Sequence, residues 1–506
     1  MLLVFLSVIL GILAFPPFGL YPLGLIFLVP FFIFLIREKK LFKLLWGTFI
    51  FKFLLSLGAA FFAFEPFIFF FSILVFLVLP LSIFFIKRGL NLRTSVVLIL
   101  ILLPFLWILG EHLQARYSLL PTYLITAGNI FGSSPFLGLA GVGGLTGLTF
   151  FAVLVNTLIA VVVLQFQSLG SRTSRNYAIL GGSTSLILII IFGSYLISQI
   201  QLQKNEILYQ KLPAEVNIAL LSNNEQFDQE FNIFKNDAFP PEEKIRAEII
   251  INNLLEPIKT ELVDKQIDLL ILPEDMIDIE SWKDIDEEAK SKFKIENAGI
   301  LIKAYRRLAE ELNANLAATL TTVQNNKRYN STILFSRQGE LADIYNKSNL
   351  TILGEYWPFG NWRPFYYTLI QKIAPDKIGQ GGAVFNKEYA YQPGQEKILR
   401  TENLIFGSAI CSEIQYPWQI QRFKKMGAKF ISHTATNRWL VLGSKNFREL
   451  TNNLRKIEAV WLQLPILING RQEMAGVITP DGKMDLVNFE NGDKNFRIFT
   501  GEIRTN

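Results

Sequence analysis

The sequence predicts two parts of different fold class: a membrane α-helical bundle of about seven spans over residues 1–200, and an α/β domain over residues 201–506. Three observations predict it. Of the 506 residues, 51% are hydrophobic and only 18% charged, with a mean hydropathy of +0.32, too apolar for a soluble chain of this size. The charge is also divided: of 49 Lys and Arg and 43 Asp and Glu, the first 200 residues hold 11 basic residues and three acids, Glu38, Glu65 and Glu111. From Gln201 onward, short apolar runs alternate with amphipathic stretches, as in an α/β domain.

The apolar stretches fall near residues 2–15, 23–36, 44–64, 67–86, 94–110, 146–166 and 177–199. The first two are shorter than the ~20 residues a perpendicular helix needs, and Pro16, Pro17 and Gly19 separate them, which makes them short, tilted or a broken pair. The start lacks the charged leader of a secretory signal and more spans follow, so it reads as an anchor. Arg37, Lys39, Lys40 and Lys43 follow the second span, Lys87, Arg88 and Arg93 the fourth, and Arg172 and Arg175 the sixth. Basic loops stay on the cytoplasmic side, which places the polar domain on the periplasmic or outer face. The net charge of +6 is therefore membrane-flanking, and no nucleic-acid partner is expected. Lys52 lies inside the third span and reads as a lysine snorkelling toward the interface. The stretch from Glu111 to Gly144, rich in Gly, Pro and aromatics, reads as a long loop in the outer headgroup region. It is either an ordinary interfacial loop or the border of a lipid-entry path.

In the polar part, strands are expected at 216–221, 267–272, 315–322, 331–336, 342–345, 403–410 and 428–432, with two closing strands around Pro480-Asp481-Gly482. Helices are expected at 242–262, 297–312, from about 416, and at 445–461. Three chemically capable groups then occupy one kind of position. Glu274, Lys347 and Cys411 each fall at the end of a predicted strand, where α/β sheets assemble sites. Cys411 is the only cysteine of the chain, which excludes an internal disulfide. A lone cysteine is either a buried apolar filler or a nucleophile, and the nucleophile needs a base or cation beside it, because a free thiol has a pKa of about 8.5. Glu274 can take the proton and Lys347 can steady the thiolate and then an oxyanion. His112 and His433 have no ligand cluster around them, so no metal is expected, and no Walker or dinucleotide motif points to a nucleotide cofactor.

These residues resemble the nitrilase superfamily, whose members use Glu, Lys and Cys in this chain order. More specifically, the chain resembles the bacterial apolipoprotein N-acyltransferases. Leu13 to Leu23, Trp107 with Glu111, Gly143 to Leu148 and Val155-Asn156 are similar to that family's membrane signatures. Leu272-Pro273-Glu274, Tyr345-Asn346-Lys347, Gly354 to Pro358 and Ala409 to Glu413 are similar to its base, lysine, lid and nucleophile motifs. Arg455 to Ala459 and Thr479 to Gly482 are similar to later landmarks. Departures are Ser412, where the family commonly has tyrosine, Ile352-Leu353 in place of Pro-Phe, and Asn437-Arg438-Trp439-Leu440 in place of Asn-Asp-x-Trp-Phe. The family also carries one more membrane helix after the polar domain, which here runs to Asn506.

The resemblance implies an α-β-β-α sandwich for the polar domain and a ping-pong acyl transfer in the bacterial inner membrane. The phospholipid donor would acylate Cys411, and the diacylated lipoprotein would accept the chain, with no cofactor. Glu355 and Glu413 would orient Lys347 and the substrate amine, or serve as structural ion pairs. Trp357, with Phe359, would form either an apolar lid or a packed turn, and Asn437 and Trp439 are further candidates. Ser412 and Arg438 suit an alternative, a membrane-anchored nitrilase-like amidase in which water resolves the intermediate. A non-catalytic transport or scaffold protein is the alternative from another class.

Overall fold

The computed structural model describes residues 1–59, 66–90, 92–117, 123–168, 174–223, 255–274, 300–324, 327–365, 368, 390–437, 444–471, 473–487 and 496–505. The chain divides into two compact units. The first comprises residues 1–207, 440–463 and 480–482; the second comprises 208–439, 464–479 and 483–506.

The first unit is helical. It contains α1 (Leu2–Ala14), α2 (Val29–Arg37), α3 (Leu41–Ala59), α4 (Pro66–Phe76), α5 (Val78–Gly89), α6 (Leu92–Tyr117), α7 (Ala140–Ser168) and most of α8 (Ser174–Gln210). Among the described residues, five helical stretches are long and apolar enough to cross a membrane, and two shorter apolar ones, Leu2–Ala14 and Tyr21–Arg37, accompany them. Where the 3-10 turn at Tyr21–Leu25 passes into α2, backbone groups are left that lipid cannot satisfy, and buried side chains meet them. Ser7 Oγ accepts from the Phe31 N–H at 2.8 Å, and Asn156 of α7 accepts from Leu28 N–H at 2.8 Å and donates to Gly24 O at 2.9 Å. On α8, Leu188, Ile189, Phe192 and Ile200 are exposed, as a lipid-facing helix surface requires.

Two expectations are corrected here. Lys52 does not snorkel: it is 2% exposed, with Nζ 4.3 Å from the Phe76 ring centre and 5.9 Å from that of Trp107. The Phe31, Phe51, Phe76 and Trp107 rings pack together around it, and an aromatic face offers a desolvated ammonium more than apolar lipid does. The stretch from Glu111 to Gly144 is not one loop. Helix α6 continues to Tyr117, turns of 3-10 helix follow at Ala127–Ser133 and Leu137–Leu139, and α7 begins at Ala140. The buried Glu111 carboxylate accepts from the Ala127 N–H at 3.0 Å and so anchors the first of these turns.

The polar part of the sequence also contributes α12 (Ser444–Leu462) to this unit. Asparagines tie it in: Asn446 Nδ2 donates to Ala59 O at 2.6 Å, Asn453 Nδ2 to Asn129 O at 3.0 Å, and Asn129 Nδ2 to Leu450 O at 3.2 Å. Near its end, Trp461 lies against Gly144, where α7 kinks with φ of 59°.

The second unit is built on one continuous sheet path, β5-β4-β3-β2-β1-β9-β8-β7-β6. The strands are β1 (Ala214–Asn223), β2 (Leu269–Glu274), β3 (Asn315–Gln324), β4 (Lys327–Phe335), β5 (Leu341–Asn346), β6 (Leu399–Arg400), β7 (Ile405–Ile410), β8 (Phe430–Thr436) and β9 (Ile466–Arg471). A hairpin of β10 (Ala475–Ile478) and β11 (Met484–Val487) extends β9, and β12 (Phe496–Thr505) runs antiparallel to β1. The path folds over so that β4 and β7 face each other, with the hydroxyls of Thr332 and Ser408 at 2.8 Å. Helices α9 (Glu256–Leu262) and α10 (Ile300–Leu312) cover one outer face through Ile258, Leu262, Tyr305 and Leu308. Helix α11 (Pro417–Lys425) covers the other: Phe423 presses on Gly407 of β7, where any Cβ would lie 2.7 Å from its ring. This is the expected α-β-β-α sandwich. The remainder of the helix expected at 242–262 lies outside the described residues. Strands β6, β9 and β12 were not anticipated from the sequence.

Candidate active site

Glu274 closes β2, Lys347 follows directly on β5, and Cys411 follows directly on β7, where the backbone turns sharply. Cys411 has φ of 51° and opens a turn of 3-10 helix through Gln415. That left-handed conformation disfavours any side chain by roughly 1–2 kcal/mol and persists only where its surroundings hold it. Two groups do so. His433 Nε2 lies 2.9 Å from the Cys411 carbonyl oxygen, which can only accept, so the ring proton sits on Nε2. Glu413 Oε2 accepts from the Ile410 N–H at 3.0 Å.

The Glu274 carboxylate is 3% exposed. Its Oε1 accepts from Asn330 Nδ2 at 2.9 Å and its Oε2 from the Thr436 N–H at 3.0 Å. Lys347 is buried, with Nζ 2.8 Å from Glu355 Oε2. The Thr351 N–H donates to that same Glu355 oxygen at 2.6 Å, and Asn330 Nδ2 donates to the other, Oε1, at 2.9 Å. One amide nitrogen therefore bridges two carboxylates, while the Asn330 carbonyl accepts from the Lys347 N–H at 2.8 Å. Asn330 was not singled out from the sequence: an asparagine in a strand is ordinary, and its partners lie 25 and 56 residues away in the chain.

Glu413 is fully buried and its Oε1 is surrounded by donors. Tyr345 Oη donates at 2.7 Å, Ser348 N–H at 2.9 Å, Asn349 N–H at 3.1 Å and Gln419 Nε2 at 2.8 Å. It thus joins the turn carrying Cys411 to the loop carrying Lys347. Its hydrogen bonds go to the ends of β5 and β7, to that loop and to α11 rather than to Nζ. Ser412 Oγ lies 2.7 Å from Thr351 Oγ1, facing the same loop.

Electrostatics separate the roles. Burial pushes the Cys411 thiol up, the charge of Glu274 adds to this, and Lys347 works against both. On balance these influences favour the protonated thiol over the thiolate. For Lys347, burial opposes the charge, but the Glu355 carboxylate, joined by the charges of Glu274 and Glu413, outweighs it and holds the ammonium above the ordinary lysine value. A buried cation beside a thiol is an arrangement able to stabilise a developing oxyanion.

The other sequence candidates fall as follows. Trp357 Nε1 donates to Trp362 O at 2.8 Å, its ring packs on Phe359 at 5.1 Å, and Arg363 lies 5.1 Å from its centre. In the same loop Trp362 is 51% and Phe365 83% exposed. Asn437 is buried one residue beyond β8 and contacts Arg471 and Glu473. Trp439 lies outside the described residues. Among the described residues no group of three or more His, Cys, Asp or Glu is arranged to hold a metal.

With this geometry in view, two family models match the chain: "Carbon-nitrogen hydrolase" over residues 246–458 and "Apolipoprotein N-acyltransferase N-terminal domain" over residues 7–158. An apolipoprotein N-acyltransferase of Aquifex aeolicus is 21% identical over 264 residues, covering 52% of this chain and 52% of that protein. A second, from Treponema denticola, is 21% identical over 381 residues, covering 75% of this chain and 66% of that protein. The matches thus span between about half and just under two thirds of those relatives. Among solved structures, a carbon-nitrogen hydrolase from Helicobacter pylori is similar at 15% identity, covering 57% of this chain and 89% of that chain, with a TM-score of 0.38. The two matches occur in one polypeptide with apolar helices: it is a multi-pass membrane protein whose residues 246–458 are similar to the carbon-nitrogen hydrolases and whose residues 7–158 are similar to the N-terminal domain of the apolipoprotein N-acyltransferases.

Proposed function

We propose that this protein transfers an acyl chain from a phospholipid to the N-terminal amine of diacylglyceryl-cysteine in an apolipoprotein, through a thioester on Cys411. The observation that carries the reading is the convergence of Glu274, the Lys347–Glu355 pair and Cys411 at the strand ends, in a chain whose residues 7–158 match the N-terminal domain of these acyltransferases.

Glu274 removes the Cys411 proton as the sulfur attacks the ester carbonyl, since the resting sulfur is protonated. The Lys347 ammonium stabilises the oxyanion of the tetrahedral intermediate. Collapse expels the lysophospholipid alkoxide, which takes the proton from Glu274, and leaves the thioester. The amine of the acceptor then attacks, Glu274 takes the amine proton, and the departing thiolate is reprotonated from it. Both substrates are lipids, which accounts for a catalytic domain joined to a helical bundle. In this reading the aromatic loop of Trp357, Phe359 and Trp362 meets acyl chains, and the catalytic domain faces the periplasm or exterior.

Intact-mass spectrometry after incubation with phospholipid tests the proposal. A mass increase of one acyl chain, labile to hydroxylamine and absent in Cys411→Ala, is expected, and a diacylated lipopeptide should discharge it. Discharge by water alone at the same rate would favour the amidase reading. Absence of any adduct in folded protein would overturn the proposal.

A further inference from the structure

Outside the groups used above, one buried carboxylate has an assignable task. Glu473 is 1% exposed, and burying an ionised carboxylate is costly unless hydrogen bonds compensate. Its Oε1 accepts from the Met474 N–H at 3.0 Å and its Oε2 from Asn437 Nδ2 at 2.9 Å. Asn437 is itself 2% exposed and stands one residue past the end of β8.

The parallel ladder between β8 and β9 ends with Thr436 abreast of Arg471. The Asn437 N–H donates to Arg471 O at 3.0 Å, adding one more rung beyond the strand. Successive N–H groups of an extended chain point to opposite sides. Holding Asn437 N–H toward β9 therefore turns Thr436 N–H the other way, where it reaches Glu274 Oε2 at 3.0 Å. The Thr436 N–H is also close enough to Cys411 to favour the ionised form of its thiol. A strand end is where a ladder frays, so this donor depends on whatever fixes residue 437.

We propose that Glu473, by gripping Asn437, is a positioning residue that aims the Thr436 N–H at Glu274 and so sets the reactivity of the thiol that this carboxylate serves. This rests on the reading of Glu274 and Cys411 as base and nucleophile. It adds a carboxylate that reaches the reacting atoms only through the backbone of β8.

The test uses the full-length protein in detergent and reads Cys411 by its rate of alkylation with iodoacetamide as a function of pH. Because this probe needs no lipid, its outcome stands apart from that of the acyl-transfer experiment. Glu473→Ala should slow alkylation near neutral pH by about tenfold, the lower end for losing one hydrogen bond to a charged group, and move the midpoint of the profile upward. Asn437→Asp, which sets a carboxylate against Glu473, should do the same. The exchanged pair Asn437→Asp with Glu473→Gln restores a hydrogen bond in the reverse sense and should return the profile to within about twofold. Should Glu473→Ala not fold, Asn437→Asp and the exchanged pair carry the test. A lowered melting temperature with an unmoved alkylation profile, or an exchanged pair no better than Asn437→Asp, would overturn the proposal.

Discussion

Asn330→Ala is the substitution that probes the candidate site most directly. Asn330 Nδ2 donates to Glu274 Oε1 and Glu355 Oε1, each at 2.9 Å, from a side chain 4% exposed. Hydrogen bonds to charged groups contribute about 1.5–3 kcal/mol each, and water entering the vacated space recovers part of that. Losing one bond's worth is the floor and both the ceiling, or about 1.5–6 kcal/mol, so acylation should slow by between about 10-fold and about 10⁴-fold. The Lys347 N–H bond to the Asn330 carbonyl survives the substitution, so the lysine loop stays in register and the loss falls on the carboxylates. The assay is the single-turnover rate of Cys411 acylation by intact mass. Asn330→Asp sharpens it: three carboxyl groups then share one space and must hold a proton between them, which raises the apparent pKa of the base and moves the rate profile to higher pH. An Asn330→Ala protein that melts normally and acylates within threefold of the unaltered chain would refute the reasoning.

Other outcomes follow from the same geometry. Glu355→Gln should destabilise the fold by about 3 kcal/mol or more, read by thermal unfolding in detergent, because Lys347 is left buried and unpaired. The pair raises the folded-state pKa of Lys347, so its stabilisation is complete below the unfolded lysine value of about 10.4 and is lost only as pH rises through the higher folded value. In Glu355→Gln the largest counterweight to burial is gone, and the alkaline limb of the acylation profile should move down in pH. Tyr345→Phe removes one of several donors to Glu413 and should lower stability by about 1 kcal/mol with a small effect on rate; Glu413→Gln, measured by the same melts, should cost clearly more. Gly144→Ala combines a φ of 59° with a Cβ 2.7 Å from the Trp461 ring, and should reduce melting temperature and yield, which Trp461→Ala relieves only in part because the backbone strain remains.

The sequence by itself determined what depends on neighbours along the chain. Apolar runs located the helices and most strands, because burial of one face imposes its period locally: the run at 315–322 is β3, that at 403–410 leads through β7 to Cys411, and the amphipathic stretch at 297–312 is α10. Strand ends in turn marked Glu274, Lys347 and Cys411. Where local signals misled, the cause was tertiary. Helix α6 runs on past Glu111 because the buried carboxylate finds the Ala127 N–H, and Lys52 turns inward because Phe76 and Trp107 offer ring faces. Strands β9 and β12 escaped notice, β9 because its apolar run, Leu464 to Ile468, follows directly on a helix, β12 because an edge strand alternates only weakly.

Only the tertiary structure decided which polar residues meet. Nothing near Asn330 in the chain distinguishes it from any strand asparagine, yet it bridges Glu274 and Glu355; Thr436 reaches Glu274 across 162 residues, and Asn437 meets Glu473 across 36. Hydrogen bonds act over about 3 Å and carry no periodicity along a sequence. Their partners are set by strand order and register, and so the support of the site becomes visible only once the sheet is assembled.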